Sequence, residues 1–334
     1  MTPDRNALIV AFLRKTGWNA ATRTDLVPDA SMRRYERLVS QAGKTVILMD
    51  APPDANPDIR PFTTIARFLT GVGLSAPQVI AEDYTNGLLL LEDLGDDVFV
   101  RLVLNNPEQE TVLYQMAVDT LIALHQETPP KLVHFGPTLM VEQASLVFDT
   151  WVQFLVGPPP SDATKTISTG FQTLLVEKTQ GDPVMILRDF HAENLLWLPN
   201  RSGVAQVGLL DFQDAMLAHP AYDLVSLLQD VRRDVPAKLE QGMITYYIDQ
   251  TGQNDAAFRD AYAVLGVQRN LRILAVFARL ASTLGKPKYA QLIPRTWGHL
   301  ERGLKHPALV PIAASLIDIL PHPTKANLHK LVAK

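Results

Sequence analysis

The sequence predicts an α+β protein: a small antiparallel β-rich lobe over residues 1–95, followed by a larger, mainly helical lobe over residues 96–334. Three observations predict it. Five short strand-like runs crowd before Asp96, with a single helical stretch among them. Beyond Asp96, five long segments carry an apolar stripe at helical spacing. One hairpin, residues 194–212, is embedded among those helices. A length of 334 residues suits about two domains at roughly 150 residues each.

Thr2-Pro3-Asp4 opens a first helix and Gly17 ends it. RTDLV (23–27) leads into the loop PDASM. RRYERLV (33–39) then sets Tyr35, Arg37 and Val39 on one face, and the turn QAGK feeds TVILMD (45–50). APPDANPDIRP reads as a loop and residues 62–71 as a helix. QVIAED and LLLLEDL form a second hairpin across Tyr-Thr-Asn-Gly, whose Asn-Gly is a tight-turn signal. In the second lobe, helices are expected over 107–125, 141–154, 218–231, 256–284 and 289–304.

Composition narrows the function. A net charge of -4 and a pI near 6.1 argue against general nucleic-acid binding, which needs a basic face. The absence of cysteine removes disulfides, thiolate metal sites and cysteine nucleophiles together. No apolar run approaches the roughly 18 residues that cross a bilayer. The run ALIVAFL (7–13) lacks a small-residue cleavage site, so it reads as a helix, not a signal peptide. These features predict a cytoplasmic protein that binds neither nucleic acid nor membrane.

LRDFHAENLLWL (187–198) carries the chemistry. Asp189 and Asn194 precede the first strand of the embedded hairpin, and Asp211 ends the second. A hairpin returns the chain to its start, so the three side chains should meet at one end. Two carboxylates and an amide oxygen there are hard ligands suited to Mg²⁺ carrying polyphosphate.

RDFHAEN followed by LLDFQDA resembles the catalytic loop and metal-binding segment of the aminoglycoside phosphotransferase family, relatives of the protein kinases. The resemblance extends to the β-lobe, the hinge LLLLEDL, a helix ending LIALH and the segment DAMLAHPAYDL. It implies a bilobal protein-kinase-like fold that uses ATP and Mg²⁺. Asp189 would accept the proton of the attacking hydroxyl, and Asn194 and Asp211 would hold the metal. Asp223 would brace the catalytic loop through its backbone. Glu92 and Leu94 at the hinge would offer backbone groups to adenine.

The chain departs from the kinase pattern at the phosphates. PDASM contains no glycine, and VILMD places Met49 or a neighbour where a strand lysine is expected. Ser31 in that loop and Arg33 and Arg34 after it are the expected nucleotide-binding residues, with Lys44 as a further candidate cation.

DASMRRYERL, HAENLLWLP, LQDVRRDVP and QRNLRILAVFARL resemble one branch of the family. These are the sugar kinases acting on the anomeric hydroxyl of N-acetylmuramate and N-acetylglucosamine in cell-wall recycling. Residues 236–334 hold 13 Lys and Arg against 6 Asp and Glu, wrong for a polycation and right for a neutral or anionic substrate. Arg269, Arg272 and Arg279 share one helix face; Arg269 and Arg272 are candidate partners for a sugar carboxylate. His191, inside the loop, is a candidate substrate contact. Trp151 and Trp297 either stack on a sugar or fill core. Two alternatives stand beside this reading: phosphorylation of an aminoglycoside or another small alcohol, and a kinase-fold binding protein without turnover.

Overall fold

The computed structural model describes residues 4–26, 33–55 and 58–333. In chain order its helices begin with α1 (Arg5–Thr16), α2 (Arg60–Gly71), α3 (Phe99–Asn105) and α4 (Glu110–His125). Next come α5 (Pro137–Val147), α6 (Gln153–Val156), α7 (Ser161–Lys178), α8 (Ala221–Leu228) and α9 (Ala237–Thr251). The series closes with α10 (Asp255–Ser282), α11 (Ile293–Leu304), α12 (Val310–Ile319) and α13 (Lys325–Val332). The strands are β1 (Thr22–Leu26), β2 (Arg34–Val39), β3 (Thr45–Asp50), β4 (Val79–Asp83) and β5 (Leu88–Glu92), then β6 (Val184–Ile186), β7 (Leu195–Trp197), β8 (Val207–Leu209) and β9 (Met216–Ala218).

The chain divides into two compact units, residues 1–130 with 192–215 and residues 131–191 with 216–334. In the first, β1 to β5 form one antiparallel sheet in the order β1-β2-β3-β5-β4. Asp4 caps α1 by accepting from the Asn6 N–H, and Gly17 closes it in the left-handed region. Ile9, Phe12 and Leu13 of α1 pack on Leu38, Val46, Leu48, Leu88 and Leu90, all from one sheet face. Each such leucine, fully buried, contributes about 2 kcal/mol. The turn before β5 needs its glycine: Gly87 has φ 64°, and a Cβ there would sit 2.0 Å from the Ala51 carbonyl oxygen.

The β7–β8 hairpin belongs to this first unit because its backbone is tied there. Leu209 N–H donates to Ser75 O (2.8 Å), Trp197 N–H to Asp97 O (2.8 Å), and Val100 N–H to Ala192 O (3.2 Å). Gly208 sits close against its neighbours: a Cβ there would meet Leu94, Leu196 and Leu198 at 3.2–3.3 Å, and those side chains would have to give by a few tenths of an ångström.

The second unit is built on α10, which packs against α5, α8 and α11 and buries 18 of its 28 residues. β6 and β9 pair antiparallel beside it. This pair is absent from the sequence expectation, which runs a helix over 218–231. Three-residue strands carry no measurable period, and helix begins only at Ala221, after His219-Pro220. α3, α7, α9, α12 and α13 are likewise additional to the expected helices.

Candidate active site

The second unit presents Asp189 from a strained turn. Asp189 N–H donates to Leu187 O (2.9 Å), and Arg188 between them has φ 69°. This is the rarer hand of the γ-turn, a conformation costing roughly 1–3 kcal/mol for a residue with a side chain. The α8 helix holds it in place. Asp223, wholly buried, accepts from the N–H groups of Leu187 (2.5 Å) and Arg188 (2.9 Å). Ser226, three residues along the same helix face, donates its Oγ proton to Arg188 O (3.0 Å). Burial pushes the Asp223 carboxyl up to about 7, against the pull of the two donors. The expected brace is therefore a side chain gripping both faces of the turn.

His191 is 3% exposed, and its Nε2 lies 2.9 Å from Arg232 Nη1. A guanidinium only donates, so Nε2 accepts and the ring proton sits on Nδ1. Burial, helped by the charges of Arg232 and Arg269, keeps the ring neutral far below its ordinary titration range. Arg269 is buried on α10, with Nη2 2.7 Å from Ser226 Oγ and 4.0 Å from Asp189 Oδ1. Arg272 is half-buried and Arg279 exposed. Trp151 and Trp297 are core: the indole of Trp151 donates to Pro321 O (2.9 Å), and Trp297 packs on His322.

The first unit holds Asn194 and Asp211 together. Leu195 pairs with Leu209, and Leu210 N–H donates to Asn194 O (3.0 Å), so Asp211 follows directly on the residue opposite Asn194. Asp211 has φ 57° and accepts from Gln213 Nε2 (2.7 Å). Arg188 and Asp211 are the two non-glycine residues with positive φ among the described residues. Backbone strain of this kind concentrates where a side chain must be aimed. A carboxylate and an amide oxygen side by side suit Mg²⁺, which takes a few protein oxygens and keeps the rest for phosphate and water. No cluster of three or more His, Cys, Asp or Glu that could hold a metal occurs among the described residues.

Strand register separates the candidate cations. Tyr35 pairs with Met49 and Arg34 with Asp50. Side chains alternate along a strand, so Arg34 points to the α1 face and Arg33 to the face of Tyr35, Arg37 and Met49. Arg33 hydrogen-bonds Tyr35, whose phenol is pushed up by burial and by the nearby charge of Asp211. Arg33 thus lies in the neighbourhood of Asp211. Lys44 sits in the turn at the opposite end of the β2–β3 hairpin, five residues from Met49, and is exposed. Met49 itself is fully buried. Ser31 lies outside the described residues.

Arginines hold the hinge. Arg37 pairs with Asp93 (2.8 Å) and Asp96 (2.7 Å), and Arg201 from the embedded hairpin pairs with Glu92. The Glu92 side chain is thus engaged in a salt bridge, while Leu94 packs on Gly208. Ser226, Arg232 and Tyr35 are functional neighbours absent from the sequence expectation. Only Ser226 left a signal, its spacing of three from Asp223 on one helix.

The sequence profile of the Phosphotransferase enzyme family matches residues 23–262. Curated relatives include the N-acetylmuramate/N-acetylglucosamine kinase of Caulobacter vibrioides, 36% identical over 97% of this chain and 99% of that one. The protein of the same name from Pseudomonas aeruginosa is 30% identical over 91% of each. Among solved structures, an aminoglycoside phosphotransferase homologue from Ralstonia eutropha superimposes with a TM-score of 0.67 at 16% identity, covering 90% of this chain and 97% of its own. A choline/ethanolamine kinase family protein from Mesorhizobium loti gives 0.64 at 14% identity, covering 94% and 99%. The fold is that of these kinases, and a family match over most of the chain, joined to the Asp189 turn and the Asn194–Asp211 pair, makes this protein a member of the phosphotransferase enzyme family.

Proposed function

We propose that the protein transfers the γ-phosphoryl group of ATP to the anomeric hydroxyl of an N-acetyl amino sugar, N-acetylmuramate or N-acetylglucosamine, in the cytoplasm. The substrate rests on the full-length relatives that carry these sugars in their names. The observation that carries the reaction class is the strained, braced turn at Arg188–Asp189.

In this reading, residues 1–95 hold the nucleotide, with adenine against the backbone at Glu92 and Leu94. Residues 96–334 supply the remaining groups. Asp189 accepts the hydroxyl proton as the sugar oxygen bonds to the γ-phosphorus and the bond to the ADP oxygen breaks. Asn194 and Asp211 would hold Mg²⁺, whose charge would offset that of the phosphates. Arg33 supplies the phosphate contact that the buried Met49 does not. Arg272, half-buried on α10, is the partner kept for a lactyl carboxylate.

The test is turnover of ATP and Mg²⁺ with N-acetylmuramate, N-acetylglucosamine, kanamycin and choline. Sugar phosphorylation is expected, and Asp189→Asn should lower kcat about 10²–10⁴-fold. Turnover of kanamycin or choline alone would move the protein to another branch of the family. Failure to bind ATP would leave a kinase-fold binding protein.

A further inference from the structure

Arg269 is 3% exposed and still carries a full charge, because arginine does not deprotonate in proteins. Its Nη2 donates to Ser226 Oγ, whereas Nε and Nη1 are buried without a hydrogen-bond partner. A buried guanidinium with two unmet nitrogens is a poor way to pack α10 against α8, where a methionine would serve at lower cost. Stability therefore does not account for it.

What the charge faces does. Asp189 Oδ1 lies 4.0 Å from Nη2, and the Asp189 carboxyl is about one-third exposed. The other charged or titratable groups interacting with Arg269 include Tyr222, Asp230 and Asp223, with Arg272 opposing and His191 and His299 feeling its charge. Those near Asp189 include Asp223, and those around the loop include His191 and Arg232. Ser226 accepts from Arg269 and donates to Arg188 O, so the guanidinium is tied to the strained turn as well as to its carboxylate.

We infer that Arg269 is a positioning residue for Asp189, holding the carboxylate aimed from behind the γ-turn, and that it does not bind the sugar. The inference rests on Asp189 being the group that accepts the hydroxyl proton. It assigns to Arg269 a role different from the carboxylate contact expected of the helix arginines.

The experiment compares wild type, Arg269→Met, Arg269→Lys and Ser226→Ala with N-acetylglucosamine and ATP. Arg269→Met should lower kcat about 100-fold and leave both KM values within about twofold. Lysine should restore most of the loss, and Ser226→Ala should give a smaller change in the same direction. A raised sugar KM with kcat intact would make Arg269 a substrate ligand. An unchanged kcat would reduce it to packing. If Arg269→Met does not fold, Ser226→Ala and Arg269→Lys decide.

Thermal melts separate this inference from the substrate assignment. The Tm change on Arg269→Met, or on Arg269→Lys, is measured in the native and Asp189→Asn backgrounds. Pairing predicts a markedly different change in the two backgrounds; additive changes overturn it. If wild type phosphorylates no sugar, the substrate reading fails while the melts still decide the pairing.

Discussion

At the residue scale, side-chain direction matters more than residue type. Arg33 and Arg34 are adjacent, equally charged and equally eligible by sequence. Strand alternation sends Arg33 to the face that carries Tyr35 and the influence of Asp211, and Arg34 to the α1 face opposite Asp50. Arg33→Met is therefore expected to raise the KM for ATP about tenfold, the loss of roughly one charge-assisted contact. Arg34→Met should change it by less than about twofold. Steady-state kinetics on both variants checks this, and equal effects would remove Arg33 from the phosphate site. The same alternation explains Met49: it is core, so the missing lysine is a feature of the packing.

At the scale of elements, the functional loop depends on its neighbours. Ile186 ends β6, Arg188 takes a conformation few side chains adopt, and α8 supplies Asp223 and Ser226 to hold it. Asp223→Ala would leave two N–H groups unmet in a dry interior, each costing about 1–3 kcal/mol. We expect a loss of roughly 2–5 kcal/mol by urea denaturation, together with a collapse of kcat exceeding any change in KM. Asp223→Asn should be milder in stability, since its carbonyl oxygen keeps one of the two bonds. The loop's composition was legible in the sequence, as was the brace through the family resemblance. The turn's hand was not, because Arg188 carries no sequence mark of positive φ; glycine would have, and glycine is absent there.

At the scale of the whole molecule, burial sets the charge state of His219. His219, whose Nδ1 accepts from Ala221 N–H (3.2 Å) and whose ring packs on Phe258, is pushed down to about 4 by burial. An unfolded histidine titrates near 6.5. Folding therefore has the full benefit of neutral His219 above about pH 6.5, and loses it as pH falls toward 4, by at most about 3 kcal/mol. His219→Asn keeps an acceptor for Ala221 but does not titrate. Its stability deficit relative to wild type should narrow between pH 7 and pH 4.5, measured by denaturant midpoints at each pH. A constant deficit would mean that His219 is as easily protonated folded as unfolded. The basic excess in residues 236–334 also changes meaning at this scale. Arg259, Arg295 and Arg302 pair with Asp255, Asp234 and Glu240, and Arg269 is buried beside Asp189.

The sequence by itself determined the fold class and the five-stranded sheet with its inserted helix, and it singled out Asp189, Asn194 and Asp211 as the candidates for the chemistry. Period, turn chemistry and the spacing of oxygen ligands are local properties, and local properties survive in one dimension. Only the tertiary structure decided that the hairpin with Asn194 and Asp211 folds with the first sheet, through Ser75, Asp97 and Ala192. It alone decided that Arg269 faces Asp189 from a dry interior and that Trp151 and Trp297 are core. Each of those depends on which residues far apart in the chain exclude water from one another, and no window of the sequence contains both partners.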